Sequence, residues 1–222
     1  MRENRVKKVM KEGKLALGTY VTLTDPQVVE IIGLAGYDAA FIDMEHTTFD
    51  LALVSEMIRA ADLVGITSII RVPDNDEKLI LRLLDAGAEG IIVPHVDGLE
   101  GAKRAVEAVR YAPLGHRGGA AGTRSTRFGT VSWDDHVNQS NEQILLSVMT
   151  EDDNGIKDIE KIAREVKSRK NDVIFGVRSF DESIPFRSKF GNKITKYLLY
   201  IFNGISLDDT QTGLRYLPIS IF

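Results

Sequence analysis

Between residues 15 and about 177 the chain alternates short, nearly pure apolar runs with longer amphipathic ones. That alternation limits the folds open to it. Leu15 to Leu23, Asp38 to Asp43, Thr67 to Val72, Gly90 to Val96, Gln143 to Met149 and Asp172 to Val177 read as strands. They are almost continuous apolar stretches, as strands are when both faces of a parallel sheet are covered. Between them lie segments of helical period. Gln27 to Leu34 follows Asp25-Pro26, a cap and first-turn pair, and stops at Gly36. Leu51 to Leu63 places Val54, Met57, Ile58 and Ala61 on one face and stops at Gly65. Asp76 to Ala86 turns Leu79, Ile80, Leu83 and Leu84 inward and closes at Gly87. Leu99 to Val109 is the next helix, and Gly155 to Val166 carries Ile156, Ile159, Ile162 and Ala163 on a face.

Strands and helices in strict alternation make βαβ units and a parallel sheet, so the fold class is α/β. A (β/α)-barrel is the leading architecture and an open doubly wound sheet the alternative. No GxGxxG or P-loop pattern follows the first strand, which weighs against dinucleotide binding. The 222 residues hold about six such units, whereas a complete eight-unit barrel takes about 250 residues. Residues 1–182 therefore form the expected barrel domain, incomplete at its C-terminal end. Residues 183–222 form a tail of another character, ending Leu-Pro-Ile-Ser-Ile-Phe.

Composition narrows the chemistry. There is no cysteine, so disulfides, thiolate nucleophiles and thiolate metal sites are excluded. A metal would need carboxylate, imidazole or backbone ligands, which favour a hard divalent ion such as Mg²⁺ or Mn²⁺. A net charge of −4 offers no general attraction to nucleic acid or anionic membrane. Met1 to Lys14 is charged and lacks the apolar core of a signal peptide. No apolar run approaches the roughly 20 residues of a membrane span, so a cytoplasmic location is expected.

Polar side chains gather at the predicted strand ends, where α/β proteins bind ligands. Asp38-Ala39-Ala40-Phe41-Ile42-Asp43-Met44-Glu45-His46 is an apolar strand ending abruptly in two acids and a histidine. A carboxylate three residues before an imidazole suits it to orient that ring and tune its proton affinity. Arg71 ends Ile69-Ile70-Arg71-Val72-Pro73, His95 ends Val93-Pro94-His95, and Glu151 follows the strand that begins near Gln143. A cation so close to a buried strand needs a partner, and a substrate carboxylate is one. Each residue also has a purely structural use: Asp43 in a turn, Arg71 in an internal ion pair, His95 in a loop, Glu151 at the start of a helix. The glycine-rich loop Gly115 to Arg124 suits an anion cradle or a flexible connection equally well.

Taken together, these segments resemble the HpcH/HpaI family of class II, metal-dependent pyruvate aldolases. The resemblance rests on Gly36 to His46, Ile70-Arg71-Val72-Pro73, Leu84 to Pro94, Arg110 to Gly118, and Glu151 with its helix to Ile162. It implies a (β/α)₈ TIM barrel of the phosphoenolpyruvate/pyruvate-binding type. It also implies a carbon–carbon lyase that cleaves a 4-hydroxy-2-keto acid to pyruvate and an aldehyde, with oxaloacetate decarboxylation as a close variant. His46 would be the general acid/base, oriented by Asp43. Arg71 would bind the keto-acid carboxylate or enolate oxygen. Glu151 would be the first ligand of a divalent ion (Mg²⁺, Mn²⁺ or Co²⁺). The family's second ligand falls in a Phe-(Ile/Val)-Gly-Pro-x-Asp-Leu-Ser motif. Here that stretch reads Phe175-Gly176-Val177-Arg178-Ser179-Phe180-Asp181-Glu182-Ser183, which leaves Asp181 as the nearest counterpart. The family usually has glutamine where this chain has Met149, and no family sequence is recognised past Ser183. The expected partners are a small 2-keto acid and an aldehyde, with no nucleic acid and no membrane, and a homo-oligomer is expected. The contrasting expectation is a catalytically inactive homologue serving as a binding protein.

Overall fold

The computed structural model describes residues 2–151 and 153–162. All of them lie in the first of the two units into which the chain divides, Met1–Gly176. The elements run α1 (Arg5–Lys11), β1 (Gly18–Val21), α2 (Gln27–Leu34), β2 (Ala39–Asp43), α3 (Leu51–Val64), β3 (Thr67–Arg71), α4 (Glu77–Asp85), β4 (Gly90–Val93), α5 (Gly98–Val109), α6 (Trp133–Gln143), β5 (Leu145–Val148) and α7 (Asp153–Lys157). Five strands pair in chain order, β1-β2-β3-β4-β5, and every pairing is parallel. This sequential α/β order is that of a TIM barrel wall, not of a doubly wound sheet, in which the strand order reverses. The predicted sixth strand, Asp172 to Val177, and the expected boundary at residue 182 lie outside the described residues. No helix among the described residues is long and apolar enough to cross a membrane.

Side-chain chemistry explains the elements. Every residue of β2 and β4 is buried, which is why both are apolar except for Asp43 at the tip of β2. The helices begin where a short polar side chain meets exposed amides. Asp50 accepts a hydrogen bond from the Leu53 N–H (2.8 Å), and Asp76 accepts from Lys78 and Leu79 (2.7 and 3.3 Å). Helix α3 ends at Gly65, whose φ of 77° is the left-handed conformation that a side chain would strain. The expected inward faces hold. Val54, Met57, Ile58, Ile80, Leu83 and Leu84 are all fully buried, between their helices and Ile42, Ile70 and Ile91 of the sheet. In the last helical segment the face differs. Ile162 is buried, whereas Ile156 and Ile159 are 45% and 43% exposed, because Gly155 takes the place against the Val96 carbonyl.

Close approach decides two positions. A Cβ on Gly33 would stand 2.3 Å from Val64 Cγ2, so α2 packs on α3 only through a glycine. A Cβ on Gly18 would stand 2.4 Å from the Phe41 ring on the neighbouring strand.

The base of the sheet is tied by the N-terminal residues. Asn4 is fully buried. Its side chain donates to the Glu89 carbonyl (3.0 Å), and its backbone N–H donates to Gln143 Oε1 (2.9 Å). Arg2 meets the Glu89 carboxylate through two nitrogens, at 2.7 and 2.9 Å, and also donates to the Ile66 carbonyl. Burial pushes the Glu89 carboxyl pKa up against the pull of Arg2.

The glycine-rich segment after α5 is held in place by side chains. Arg117 bonds Asp85 (2.9 Å) and lies over the Tyr111 ring at 4.5 Å. Arg124 pairs with Asp62. Gly119 faces the Trp133 ring so closely that a Cβ would meet it at 2.7 Å. Of the two sequence expectations for Gly115 to Arg124, neither the anion cradle nor the flexible connection describes these contacts. Arg117 and Arg124 tie the segment to the C-terminal ends of α4 and α3, while Gly118 to Gly122 between them are exposed.

Candidate functional site

Parallel pairing brings the strand ends to one side of the sheet. Asp43 and Arg71 are register partners on β2 and β3. Their side chains meet as a two-point ion pair: Arg71 Nε donates to Asp43 Oδ1 (2.9 Å) and Nη2 to Oδ2 (2.6 Å). Asp43 Oδ1 also accepts the backbone N–H groups of Glu45 (3.1 Å) and His46 (3.4 Å), and the Thr47 hydroxyl donates to the Asp43 carbonyl. The turn carrying Glu45 and His46 is thus folded onto Asp43. Burial works to raise the Asp43 carboxyl pKa. The Arg71 bond and charge, with the two amides, overcome that and hold it below the ordinary carboxylate value. Burial likewise works against the Arg71 charge, and Asp43 with Tyr20 and Glu45 outweighs it, so that pKa rises.

The expected link from Asp43 to the His46 ring takes a different form here. The Asp43 oxygens are engaged by Arg71 and by backbone amides, so Asp43 orients the backbone at His46 and not the imidazole. The guanidinium, one strand away in register, is the stronger partner for a buried carboxylate. The His46 ring lies beside Glu45, with Nε2 3.6 Å from Oε2, and is 68% exposed.

Glu45 is the hub of this cluster. Its side chain is 10% exposed. Oε2 stands 3.3 Å from Arg71 Nε, and Oε1 3.3 Å from His95 Nε2. Oε2 is buried and accepts no hydrogen bond. His95 follows β4 with a φ of 48°, a left-handed conformation rare outside glycine and often found at functional sites. Its backbone N–H donates to Glu151 Oε1 (3.3 Å), and its Nδ1 is 4.0 Å from the same oxygen. Glu151, just past β5, is therefore joined through His95 to Glu45, and Glu45 to Arg71 and Asp43.

Tyr20 completes the wall from β1. Its ring lies 5.1 Å from the Arg71 guanidinium carbon and 5.3 Å from the Phe41 ring. Burial raises its hydroxyl pKa. Sequence reasoning named His95 and Glu45 without giving either a role, and it missed Tyr20. An aromatic near the C-terminal end of the first strand was the available signal.

Of the expected metal ligands, Glu151 is described and Asp181 lies outside the described residues. Among the described residues no three histidine, aspartate or glutamate side chains are arranged to hold a metal ion. The donor chemistry still fits a hard divalent ion in part. Glu151 offers a carboxylate 20% exposed at the strand end. Ions of the Mg²⁺ kind commonly take one or two carboxylates and complete their shell with water and substrate oxygens.

Comparison with known proteins follows the same lines. The HpcH/HpaI aldolase/citrate lyase family model matches residues 16–217. The 2-dehydro-3,6-dideoxy-6-sulfogluconate aldolase of Pseudomonas putida is 34% identical over 155 residues, covering 70% of this chain and 60% of that protein. The hydroxypyruvate/pyruvate aldolase of Sagittula stellata is 34% identical over 161 residues, covering 72% of this chain and 63% of that protein. The chain therefore matches only 60% and 63% of the length of these two curated relatives. The crystal structure of the citrate synthase SbnG aligns with a TM-score of 0.71 at 30% identity, over 89% of this chain and 76% of that one.

Proposed function

This chain belongs to the HpcH/HpaI aldolase/citrate lyase family, and from that premise we propose that it is a carbon–carbon lyase acting on a small 2-keto acid. The reaction is retro-aldol cleavage of a 4-hydroxy-2-keto acid to pyruvate and an aldehyde, or the reverse addition. Release of CO₂ from oxaloacetate would pass through the same enolate. The observation that carries the reading is the linked set at the strand tips: Asp43 with Arg71, Glu45 beside both, and His46, His95 and Glu151 around it.

Each residue has a role suited to its surroundings. The exposed His46 ring takes the proton of the substrate's 4-hydroxyl as the C3–C4 bond breaks, and the bond's electron pair moves into the enolate. Arg71, fixed on two sides by Asp43, has further N–H groups for the keto-acid carboxylate or the enolate oxygen. Asp43 keeps Arg71 charged and in place, and through its two amide bonds sets the turn that presents His46. Glu151 and, beyond the described residues, Asp181 would hold a divalent ion. When bound, that ion supplies Lewis acidity toward the 2-keto oxygen.

The test is purified protein with pyruvate and an aldehyde in the presence of Mg²⁺, Mn²⁺ or Co²⁺, beside His46→Ala and Glu151→Ala. Metal-dependent turnover in the parent chain, lost in both variants, is the expected result. A folded parent chain that turns over with none of these metals overturns the proposal.

A further inference from the structure

Glu45 stands between two imidazoles. One oxygen, Oε1, is 3.3 Å from His95 Nε2, and the other, Oε2, is 3.6 Å from His46 Nε2. The two rings are 57% and 68% exposed, whereas the Glu45 side chain is 10% exposed. An anchored carboxylate beside a largely exposed ring is a neighbour of opposite polarity toward which the ring nitrogens turn. Glu45 is anchored. The turn that carries it is bonded to Asp43, and Arg71 Nε lies 3.3 Å from Oε2. That approach does not make Oε2 a hydrogen-bond acceptor, and a buried carboxylate oxygen left without a donor is costly. An imidazole N–H turned toward it removes that cost.

We infer that Glu45 is a positioning residue that holds the His46 and His95 rings together, one on each carboxylate oxygen, and so brings His95 into the reacting group beside His46. The inference rests on the aldolase reading of the same site. Its structural content is independent of turnover, because the coupling of two rings through one carboxylate is measurable in an inactive protein. His95 comes from β4, whereas Glu45 and His46 follow β2, so the carboxylate ties together polar groups two strands apart in the sheet. The left-handed backbone at His95, with its N–H on Glu151, fixes where that ring starts. Glu45 fixes where it ends.

The experiment reads the rings directly. The chain has 4 histidines, so long-range ¹H–¹⁵N spectra of the imidazoles are simple, and His46→Gln and His95→Gln assign the two signals. In Glu45→Gln, both the His46 and the His95 ring signals should move. His136, buried with Tyr111 and Ser140, stays put and reports that the fold is intact. Movement of only one ring, or of neither, overturns the inference. If Glu45→Gln fails to fold, His95→Gln in the presence of native Glu45 decides: a shifted His46 ring supports coupling through the carboxylate, and an unmoved one overturns it. Where the parent chain turns over, kcat of Glu45→Gln should fall on the order of tenfold to a hundredfold, as for residues that orient catalytic groups. KM should hold within about twofold, since only an interaction needed in the transition state is lost, and Glu45→Asp should recover part of kcat. Rings that move in a protein without turnover refute the aldolase reading and leave the positioning role standing. Turnover with unmoved rings does the opposite.

Discussion

Replacing Arg71 with alanine leaves Asp43 as a buried carboxylate without its cation, and both the size and the pH dependence of the damage can be worked from the structure. Asp43 is 3% exposed, and the Arg71 side chain 14%. The two bonds lost, 2.9 and 2.6 Å long, belong to the charged class worth about 1.5–3 kcal/mol each. Breaking a buried pair by removing one partner costs about 3–5 kcal/mol, since the remaining charge stays out of water. The Glu45 and His46 amides still reach Asp43, and the arginine end of the pair is partly wet. The lower end of the range therefore applies, about 3 kcal/mol near neutral pH.

Acid reveals the cause. In the native chain the Asp43 pKa is depressed. Its contribution to stability is present above the unfolded value of about 3.9 and is lost as pH falls through the folded value. Without Arg71, burial becomes the dominant influence and the carboxyl rises above its unfolded value. The sign then reverses. The penalty in Arg71→Ala is full above the raised pKa and fades as pH falls through it toward about 3.9. Urea denaturation followed by far-UV circular dichroism at neutral pH and near pH 4.5 measures both ends. Adding Asp43→Asn to Arg71→Ala should recover part of the loss at neutral pH. A penalty under about 1 kcal/mol, the size of an exposed pair, or one equal at both pH values, refutes the reasoning.

Two further expectations concern the scaffold. Gly33→Ala should destabilise by about 1–3 kcal/mol through overpacking, because its Cβ would meet Val64 Cγ2 at 2.3 Å. Adding Val64→Ala should return part of that loss, and thermal melts of the three variants decide it. His136 is fully buried, with Nε2 near the Tyr111 hydroxyl (3.2 Å) and Ser140 Oγ (3.3 Å). Burial and the Arg117 charge hold its pKa down at about 4. The unfolded chain therefore takes up the proton first, and stability should fall as pH drops from about 6.5 toward about 4. His136→Gln should flatten that slope, and urea midpoints across the range that keep the native slope would refute the assignment.

The strands were legible because their burial is two-sided, so apolar runs such as Ala39 to Ile42 and Ile69-Ile70 have no other reading. Two helices were not. Helix α6, Trp-Asp-Asp-His-Val-Asn-Gln-Ser-Asn-Glu-Gln, buries only His136 and Ser140, so it shows no apolar period; its one visible signal was Ser132 as cap ahead of Asp134 and Asp135. Helix α1 is short and buries Val6 and Val9 alone, in a segment dominated by lysine and arginine. At the site, residue types and strand-tip positions were readable from one sequence. Partner choice was not: that Asp43 takes Arg71 and leaves the His46 ring to Glu45 depends on strand register, which no single strand carries.

The ties at the base of the sheet have a consequence for how the molecule is made. Its βα units stack in chain order, so each can settle against the one before it as the polypeptide leaves the ribosome. The N-terminal segment cannot. Arg2 waits for Glu89, 87 positions later, and the Asn4 amide for Gln143, 139 positions later. Arg2 and Asn4 thus dock only after partners far along the chain have been made, and until they do Glu89 has no Arg2 to offset its burial. A bulky fusion ahead of Arg2 would act on this late step, slowing the closing of the base while leaving the earlier units free to form.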